Sequence, residues 1–501
     1  MQLTDAATKA PGRGFWAIVA SVTALGLIVR LPGAGSELWA DEVYAVMESF
    51  RTPFPQTLAI FPGDNKHPLY ALLAHVALSV FGETPWAVRL PAILFGVATI
   101  PLLYALGRRI TSRMEALAST ALLALSYHHV WFSQNARGYS MLAFFAVLTT
   151  LLLLRASESN RIQPWIWYGI AAGLGAYTHL TFVFAVVAQF LVVALAIFGW
   201  PRRERRLGWR APIAGFALSA AVTLALYLPM LSQVVAFFLH KQSNLLGISS
   251  PGWALGEAIR VLRVGFGGMF GIGVAVVAAG AAIGVVGVLS YARQSMRTAL
   301  LLCLPAGVTL LGALTARGTM YPRFFFMLAG LALLCGMRGV FATAAWAARR
   351  MHWSEGVGQR MGAGLAALVI LLSALSIPLN WRLPKQDFLG AMTYVEGAAA
   401  AGDVIAVTDV TASVYGPYYR KPWARVSSVS ALEILRRPLA DSSAAAGTGI
   451  VWLLYTFPRY IEKLDAPLAA YVRRECTADN VRTFPGTVGG GDISVCRLTR
   501  T

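Results

Sequence analysis

Long apolar stretches alternate with short polar segments along most of this chain. One further apolar run, Pro68–Phe81, is shorter than the rest and begins with proline, a residue favoured in the first turn of a helix. Length alone leaves this run ambiguous between a crossing helix and one at the membrane surface. Windows of about 20 residues, long enough to cross a bilayer, begin near Phe15, Trp86, Met114, Tyr139, Trp165, Phe182, Ala211, Gly265, Thr298, Tyr321 and Met361.

Clusters of arginine between the apolar windows resolve the ambiguity. The clusters are Arg108, Arg109 and Arg113; Arg202, Arg203, Arg205 and Arg206; and Arg349 and Arg350. If Pro68–Phe81 does not cross, all of them lie in the cytoplasm together with Lys9 and Arg13, as the positive-inside rule requires. We therefore predict a polytopic α-helical membrane protein with about 11 transmembrane helices, plus juxtamembrane helices in a first outer loop, residues 34–85.

The first apolar segment, Phe15–Gly33, also fits a secretory signal, because Lys9 and Arg13 precede it and small residues follow it. Its apolar core is long for a signal, and further spans follow. An uncleaved first helix is therefore favoured.

The long apolar windows end near residue 380, and shorter apolar runs follow. Strand-like runs, Val404–Thr408 and Ile450–Tyr455, alternate there with the helix-like runs Ala431–Arg437 and Tyr460–Arg474. This alternation predicts a small α/β domain, residues 381–501, which follows a transmembrane domain of residues 1–380 and lies on the outer side. Cys476 and Cys496 both fall in this domain, where an oxidising environment favours a disulfide between them.

The composition narrows the class of protein. The chain has 501 residues, of which 57% are hydrophobic and only 13% charged, so a soluble protein is a poor fit. Its formal net charge is +19, but topology already accounts for much of the arginine, and nucleic acid is not a predicted partner. Nucleotide-binding and zinc-protease fingerprints are absent from the sequence, and we predict no cofactor.

Polar residues gather where several predicted spans end on the outer side. Each has an ordinary explanation: Asp41 can cap a helix, arginines can reach lipid headgroups, and histidines can pack in a core. The set comprises Asp41, Glu42, Lys66, His67, Arg89, Arg137, Tyr139, His179, Lys241, Tyr321 and Arg323. Their shared depth on one side is more informative than any single member.

Together these residues suit transfer of a sugar from a lipid-linked phosphate. Asp41, beside Glu42, is the predicted catalytic base for a hydroxyl acceptor. Lys66, His67, Arg137 and Arg323 are predicted to hold the departing phosphate, where negative charge develops. The predicted substrate pocket comprises Arg89, Tyr139, His179, Tyr321 and Lys241.

The motif residues resemble the membrane glycosyltransferases of the GT-C superfamily. The resemblance rests on Trp39–Tyr44, Lys66–Tyr70, Arg89–Ala92 and Ser133–Tyr139. More narrowly, the chain resembles the bacterial branch related to protein O-mannosyltransferases and lipid A aminoarabinose transferases.

The resemblance implies an inverting displacement from a polyprenyl-phosphate sugar donor, at a periplasmic site in the bacterial inner membrane. It assigns the base to Asp41, while Glu42 supports the base or contacts the acceptor. Many relatives carry glutamate where this chain has Asn135. The oligosaccharyl branch uses a divalent metal; we predict none here, because the sequence places too few carboxylates on the outer side. The acceptor, a protein, lipid or glycan, is left open.

Two other functions compete with transfer. A transporter or flippase of a lipid-linked sugar would place its binding groups near the bilayer midplane and between internal repeats, and the sequence has no clear repeat. A structural or sensory membrane protein would leave Asp41 free to vary.

Overall fold

The computed structural model describes residues 13–63, 65–159, 161–202, 204, 206–240, 256, 259–260, 273–315, 321–437 and 449–500. Within these ranges a helical bundle precedes a small domain built on a mixed sheet. The bundle helices are Arg13–Ile28, Pro85–Ile110, Arg113–Ala124, Tyr127–Ser133, Tyr139–Glu158, Gln163–Thr178, Phe182–Ile197, Arg210–Tyr227, Leu231–His240, Gly273–Gln294, Met296–Thr315, Ala329–Arg350 and Glu355–Ser376, with 3₁₀ turns at Leu228–Met230 and Pro322–Leu328.

Seven helices in the described part of the chain are long and apolar enough to cross a membrane. They differ in how much of their surface the protein covers. Tyr139–Glu158 is 67% buried and lies at the centre of the bundle, whereas Val274–Gln294 is 11% buried and presents apolar side chains outward. The fold is thus the predicted bundle of apolar helices with a small sheet domain, while the number of crossings stays a prediction.

Short helices occupy the segment between the first two long bundle helices. They are Ala40–Ala45, Phe54–Ala59 and Pro68–Phe81, with a π-helical turn at Val46–Phe50. Proline fits the first turn of Pro68–Phe81, and the helix ends at Gly82, whose φ of +77° suits glycine. We call Ala40–Ala45 the acidic helix. It begins one residue before Asp41, so Asp41 does not cap it, and the capping interpretation is wrong.

In the described part of the C-terminal domain the strands are β1 Val404–Thr408, β2 Ala424–Val426, β3 Ile450–Tyr455, β4 Val481–Phe484 and β5 Ile493–Thr499. They form one sheet in the order β2-β1-β3-β5-β4. Strand β1 pairs in parallel with β2 and β3, whereas β5 pairs antiparallel with β3 and β4. Every residue of β3 is buried, as its continuous apolar run predicts. The helices are Leu379–Arg382, Phe388–Ala398, Asp409–Tyr415, Val429–Arg436, Pro458–Leu464 and Ala466–Glu475.

The helix-like run Tyr460–Arg474 is two helices in the structure. Asp465 separates them, with an extended backbone and a side-chain oxygen that accepts from the amide of Leu468 at 2.7 Å. An N-cap of this kind starts a new helix. Just beyond that helix, Cys476 forms a disulfide with Cys496 of β5, their Cα atoms 5.7 Å apart.

The C-terminal domain packs against the end of the bundle that carries the short helices. Glu37, before the acidic helix, accepts from the amide of Leu389 at 2.7 Å, and Trp131 Nε1 donates to Thr487 Oγ1 at 2.9 Å. We call this end of the molecule the loop face.

The disulfide should stabilise the C-terminal domain locally. Closing a loop of this size contributes about 3 kcal/mol in the chain-entropy treatment. We expect Cys476→Ser to lower the protection of β5 amides in hydrogen exchange of the full chain. Reductant should reproduce the effect in the wild type and leave the variant unchanged; equal protection in all samples would contradict the role.

Candidate active site

A buried ion pair organises the loop face. Glu42 and Arg89 are both fully buried, and Arg89 donates from Nε to Glu42 Oε1 at 2.8 Å and from Nη2 to Oε2 at 2.5 Å. The carboxylate also accepts from the amides of Ala136 and Trp39, at 2.6 and 3.3 Å. Burial opposes ionisation of Glu42, but the charges of Arg89 and Lys385 and these hydrogen bonds keep its pKa below the ordinary value.

The remaining donors of Arg89 hold the chain that leaves the first helix. Nη1 donates to the carbonyls of Ala34 and Ser36 at 3.0 and 2.7 Å, and Nη2 to that of Glu37 at 2.9 Å. One guanidinium therefore joins the first loop, the acidic helix and, through Glu42, the segment Ser133–Tyr139, which we call the hairpin. All these groups are engaged with protein, so the pair leaves no open face for a ligand.

Asp41, by contrast, is accessible. Its side chain is 23% exposed, and Oδ2 accepts from Arg323 Nη1 at 2.9 Å. The guanidinium of Arg323 lies 4.1 Å above the ring of Tyr321. Arg323 Nε is buried without a hydrogen-bond partner among the described residues.

His67 lies among aromatic rings and cations. Its ring centroid is 4.6 Å from that of His179 and 4.9 Å from that of Tyr139. Burial, with the nearby charges of Arg137 and Arg323, holds the pKa of His67 well below its ordinary value. The imidazole is therefore neutral near pH 7. Both of its nitrogens are buried, and neither has a partner within the described ranges.

Arg137 completes the group of cations. Its Nη2 donates to Asn65 Oδ1, whereas its Nε is buried and has no partner in the part of the chain described. Glu48, Lys66, His67 and Arg137 line a cavity of about 10 Å³, room for about one water molecule.

A larger cleft opens between the acidic helix and the C-terminal domain. It has a volume of about 460 Å³. Tyr44, Met47 and Glu48 form one wall, and Trp423 and Arg425 contribute to the other. Glu48 also lines the small cavity, so it stands between the cleft and the site of Arg137. Burial raises the pKa of Glu48 above its usual value.

The predicted site residues fall into three groups. Asp41, His67, Arg137, Tyr139, His179, Tyr321 and Arg323 form one neighbourhood, linked by the ion pair, ring contacts and charge interactions. Glu42, Arg89 and Lys66 serve protein contacts instead: Lys66 Nζ donates to the carbonyls of Thr57 and Ile60, at 2.6 Å for Thr57. Lys241 lies outside the described residues.

Sequence reasoning missed three residues at this site: Glu48, Lys385 and Gln386. Glu48 follows the acidic pair by two helical turns, a spacing that offered a weak signal. Lys385 and Gln386 lie in the polar segment after the bundle, where periodicity gives no information on long-range contacts. Asn135, the position that departs from the family pattern, accepts from Trp39 Nε1 at 3.1 Å. Among the described residues, no group of three or more histidine, cysteine or acidic side chains could hold a metal ion.

Comparisons with known proteins agree with this architecture. Residues 65–232 match the family model of dolichyl-phosphate-mannose-protein mannosyltransferases. YkcB of Bacillus subtilis strain 168, provisionally described as a mannosyltransferase, is 24% identical over 199 residues. That match covers 38% of this chain and 27% of YkcB, so it spans about a quarter of the relative's length.

Two solved structures resemble nearly the whole chain. ArnT from Cupriavidus metallidurans in the apo state gives a TM-score of 0.51 at 13% identity, covering 96% of this chain and 97% of ArnT. The oligosaccharyltransferase AglB from Archaeoglobus fulgidus, in complex with an inhibitory peptide and a dolichol-phosphate, gives 0.53 at 12% identity, covering 96% and 74%. The chain has the GT-C fold, and the resemblance to the GT-C membrane glycosyltransferases is confirmed.

Breaking the buried ion pair should unfold the loop face. Glu42→Gln leaves the Arg89 charge buried without its counterion, which typically costs about 3–5 kcal/mol. Glu83→Gln is the matched control, because Glu83 pairs with Arg51 at the surface, where such pairs contribute at most about 1 kcal/mol. Denaturant unfolding of both variants measures the difference; equal stability would contradict the structural role of Glu42.

Proposed function

We propose that the protein is an inverting glycosyltransferase that moves a sugar from a polyprenyl-phosphate donor to a hydroxyl acceptor. One observation carries the proposal: an accessible carboxylate, Asp41, is paired with Arg323 beside arginine Nε donors that have no partner among the described residues. The family match and the dolichol-phosphate in the AglB structure support the same class of donor.

In the proposed reaction each charged group has a role. The acceptor oxygen attacks the anomeric carbon, and the bond from that carbon to the phosphate oxygen breaks, so the polyprenyl phosphate leaves with the electron pair. Asp41 accepts the proton of the acceptor hydroxyl. The Nε groups of Arg137 and Arg323, which have no partner in the described part of the chain, donate to the departing phosphate, where charge-assisted hydrogen bonds are strongest.

Neutral His67 contributes a hydrogen bond rather than a charge. Its two nitrogens have no partner among the residues described, and they lie near Arg137 and Arg323, where we place the phosphate or a sugar hydroxyl. The acceptor enters through the cleft beside Tyr44, which lies one turn after Asp41 on the acidic helix.

The site is proposed to face the periplasm of a bacterial inner membrane. Arg89, at the loop face, and Arg108 lie near opposite ends of the helix Pro85–Ile110, about 30 Å apart at the helical rise per residue. An arginine cluster therefore lies at the far end of the bundle from Asp41. The positive-inside rule would place that end in the cytoplasm.

Asp41→Asn should abolish most sugar transfer, because general-base catalysis contributes about 10²–10⁴-fold. The measurement is transfer of label from purified polyprenyl-phosphate sugars to a membrane extract, with identification of the product. Glu83→Gln, an exposed acid of the same loop, should transfer at the wild-type rate. Near-normal transfer by Asp41→Asn would refute the assignment.

Arg137→Gln should weaken donor binding by about 10–100-fold, since a hydrogen bond to a charged group contributes about 1.5–3 kcal/mol. Stabilisation of the purified protein by added polyprenyl phosphate reports the affinity without an acceptor. Arg51→Gln is the control, because Arg51 is a surface arginine of the same face. An equal loss of affinity in both variants would show that Arg137 makes no specific contact.

A further inference from the structure

Two consecutive residues near the start of the C-terminal domain reach into the loop face. They are Lys385 and Gln386, within Pro384–Asp387, which we call the bridging segment. Gln386 is fully buried, and its Oε1 accepts from the amide of Ala40 at 3.0 Å. Ala40 is the first residue of the acidic helix and directly precedes Asp41. The first amides of a helix lack partners within the helix, so a side chain distant in sequence satisfies this one.

The other end of the Gln386 amide binds the C-terminal domain. Nε2 donates to the carbonyl of Gly491 at 2.9 Å and lies 3.4 Å from Thr456 Oγ1. This arrangement uses the oxygen of Gln386 as an acceptor and its nitrogen as a donor, so neither an apolar side chain nor a carboxylate can replace both contacts.

Lys385 binds the hairpin, the segment that carries Arg137. Its Nζ donates to the carbonyl of Gln134 at 2.5 Å and lies 5.4 Å from the ring centre of Trp131. Gln134 belongs to the hairpin that carries Arg137. Burial, reinforced by the charge of Arg89, lowers the pKa of Lys385 to about 7.

Residues between β4 and β5 of the C-terminal domain hold the bridging segment in place. The amide of Thr487 donates to the carbonyl of Pro384, and that of Val488 to the carbonyl of Lys385, each at 3.0 Å. A side chain at Gly486 would collide with the Lys385 carbonyl, 2.3 Å from the ideal Cβ position. The position of the bridging segment is therefore fixed relative to residues 486–488 of the C-terminal domain.

We propose that Gln386 is a positioning residue, through which the C-terminal domain sets the place of Asp41 relative to Arg323 and Arg137. The inference rests on the proposed transfer reaction and adds that the C-terminal domain is part of the catalytic unit. Displacing a catalytic group by about 1 Å can cost about 10²-fold in rate.

The test compares Gln386→Met with Gln386→Glu in the full chain. Gln386→Met removes both hydrogen bonds, and we expect kcat to fall by about 10–100-fold with little change in the KM for the donor. In Gln386→Glu, an ionised carboxylate faces the Gly491 carbonyl and is unfavourable, whereas the protonated acid can accept from Ala40 and donate to Gly491. Its kcat relative to wild type should therefore rise, by about tenfold, as the pH falls from about 8 to about 5.

The ratio to wild type removes the pH dependence that both proteins share, including that of Glu37 and Lys385, whose pKa values burial shifts. The other charged groups around the segment, Asp41, Asp387, Glu42 and Arg89, are the same in both proteins. Gln189→Met is the matched control, because Gln189 is equally buried in the bundle and bonds Thr149 and Tyr168, away from the site. It should keep the wild-type kcat. If Gln386→Met does not fold, the pH profile of Gln386→Glu still decides.

Four outcomes overturn the inference. One is a wild-type kcat in Gln386→Met, a second is a deficit in Gln386→Glu that acid does not relieve, and a third is an equal loss of kcat in Gln189→Met. In each case transfer by the wild type and its loss in Asp41→Asn would leave the proposed function standing. The fourth, an absence of transfer by the wild type itself, would overturn both.

Discussion

The buried pair of Glu42 and Arg89 is the constraint on which the loop face depends. Removing two charges from water is expensive, and the cost is offset only where geometry and further hydrogen bonds are complete. Here the carboxylate is bidentate and accepts two backbone amides, while the guanidinium also binds the carbonyls of Ala34, Ser36 and Glu37. The first loop, the acidic helix and the hairpin therefore have one mutual arrangement.

Two adjacent carboxylates consequently have different environments. Side chains one residue apart on a helix point about 100° apart, so Glu42 lies buried against Arg89 while Asp41 faces Arg323 and the solvent. The accessible carboxylate, Asp41, is the one to which the proposed reaction assigns the base. The same division separates Lys66, bound to the carbonyls of Thr57 and Ile60, from His67, whose nitrogens have no partner within the described ranges.

The C-terminal domain contributes hydrogen bonds and cleft-lining residues to the loop face. Through the bridging segment it satisfies the first amide of the acidic helix and a hairpin carbonyl, and it supplies one wall of the cleft beside Glu48. Such contacts join segments hundreds of residues apart, so both the bundle and the C-terminal domain contribute hydrogen bonds to the loop face. Its short helices are too short to be stable alone.

Local patterns determined the elements of this protein. Apolar windows placed the bundle helices, β1 and β3 have the predicted bounds, and seven of the eleven predicted site residues lie in one neighbourhood. Tertiary structure alone decided the partners of the polar groups at the loop face. Asp41 pairs with Arg323 and Glu42 with Arg89, and Gln386 accepts from the first amide of the acidic helix. The reason is physical. Periodicity and helix propensity act over neighbouring residues, whereas the partner of a buried charge is chosen by the packing of distant segments, which no local pattern encodes.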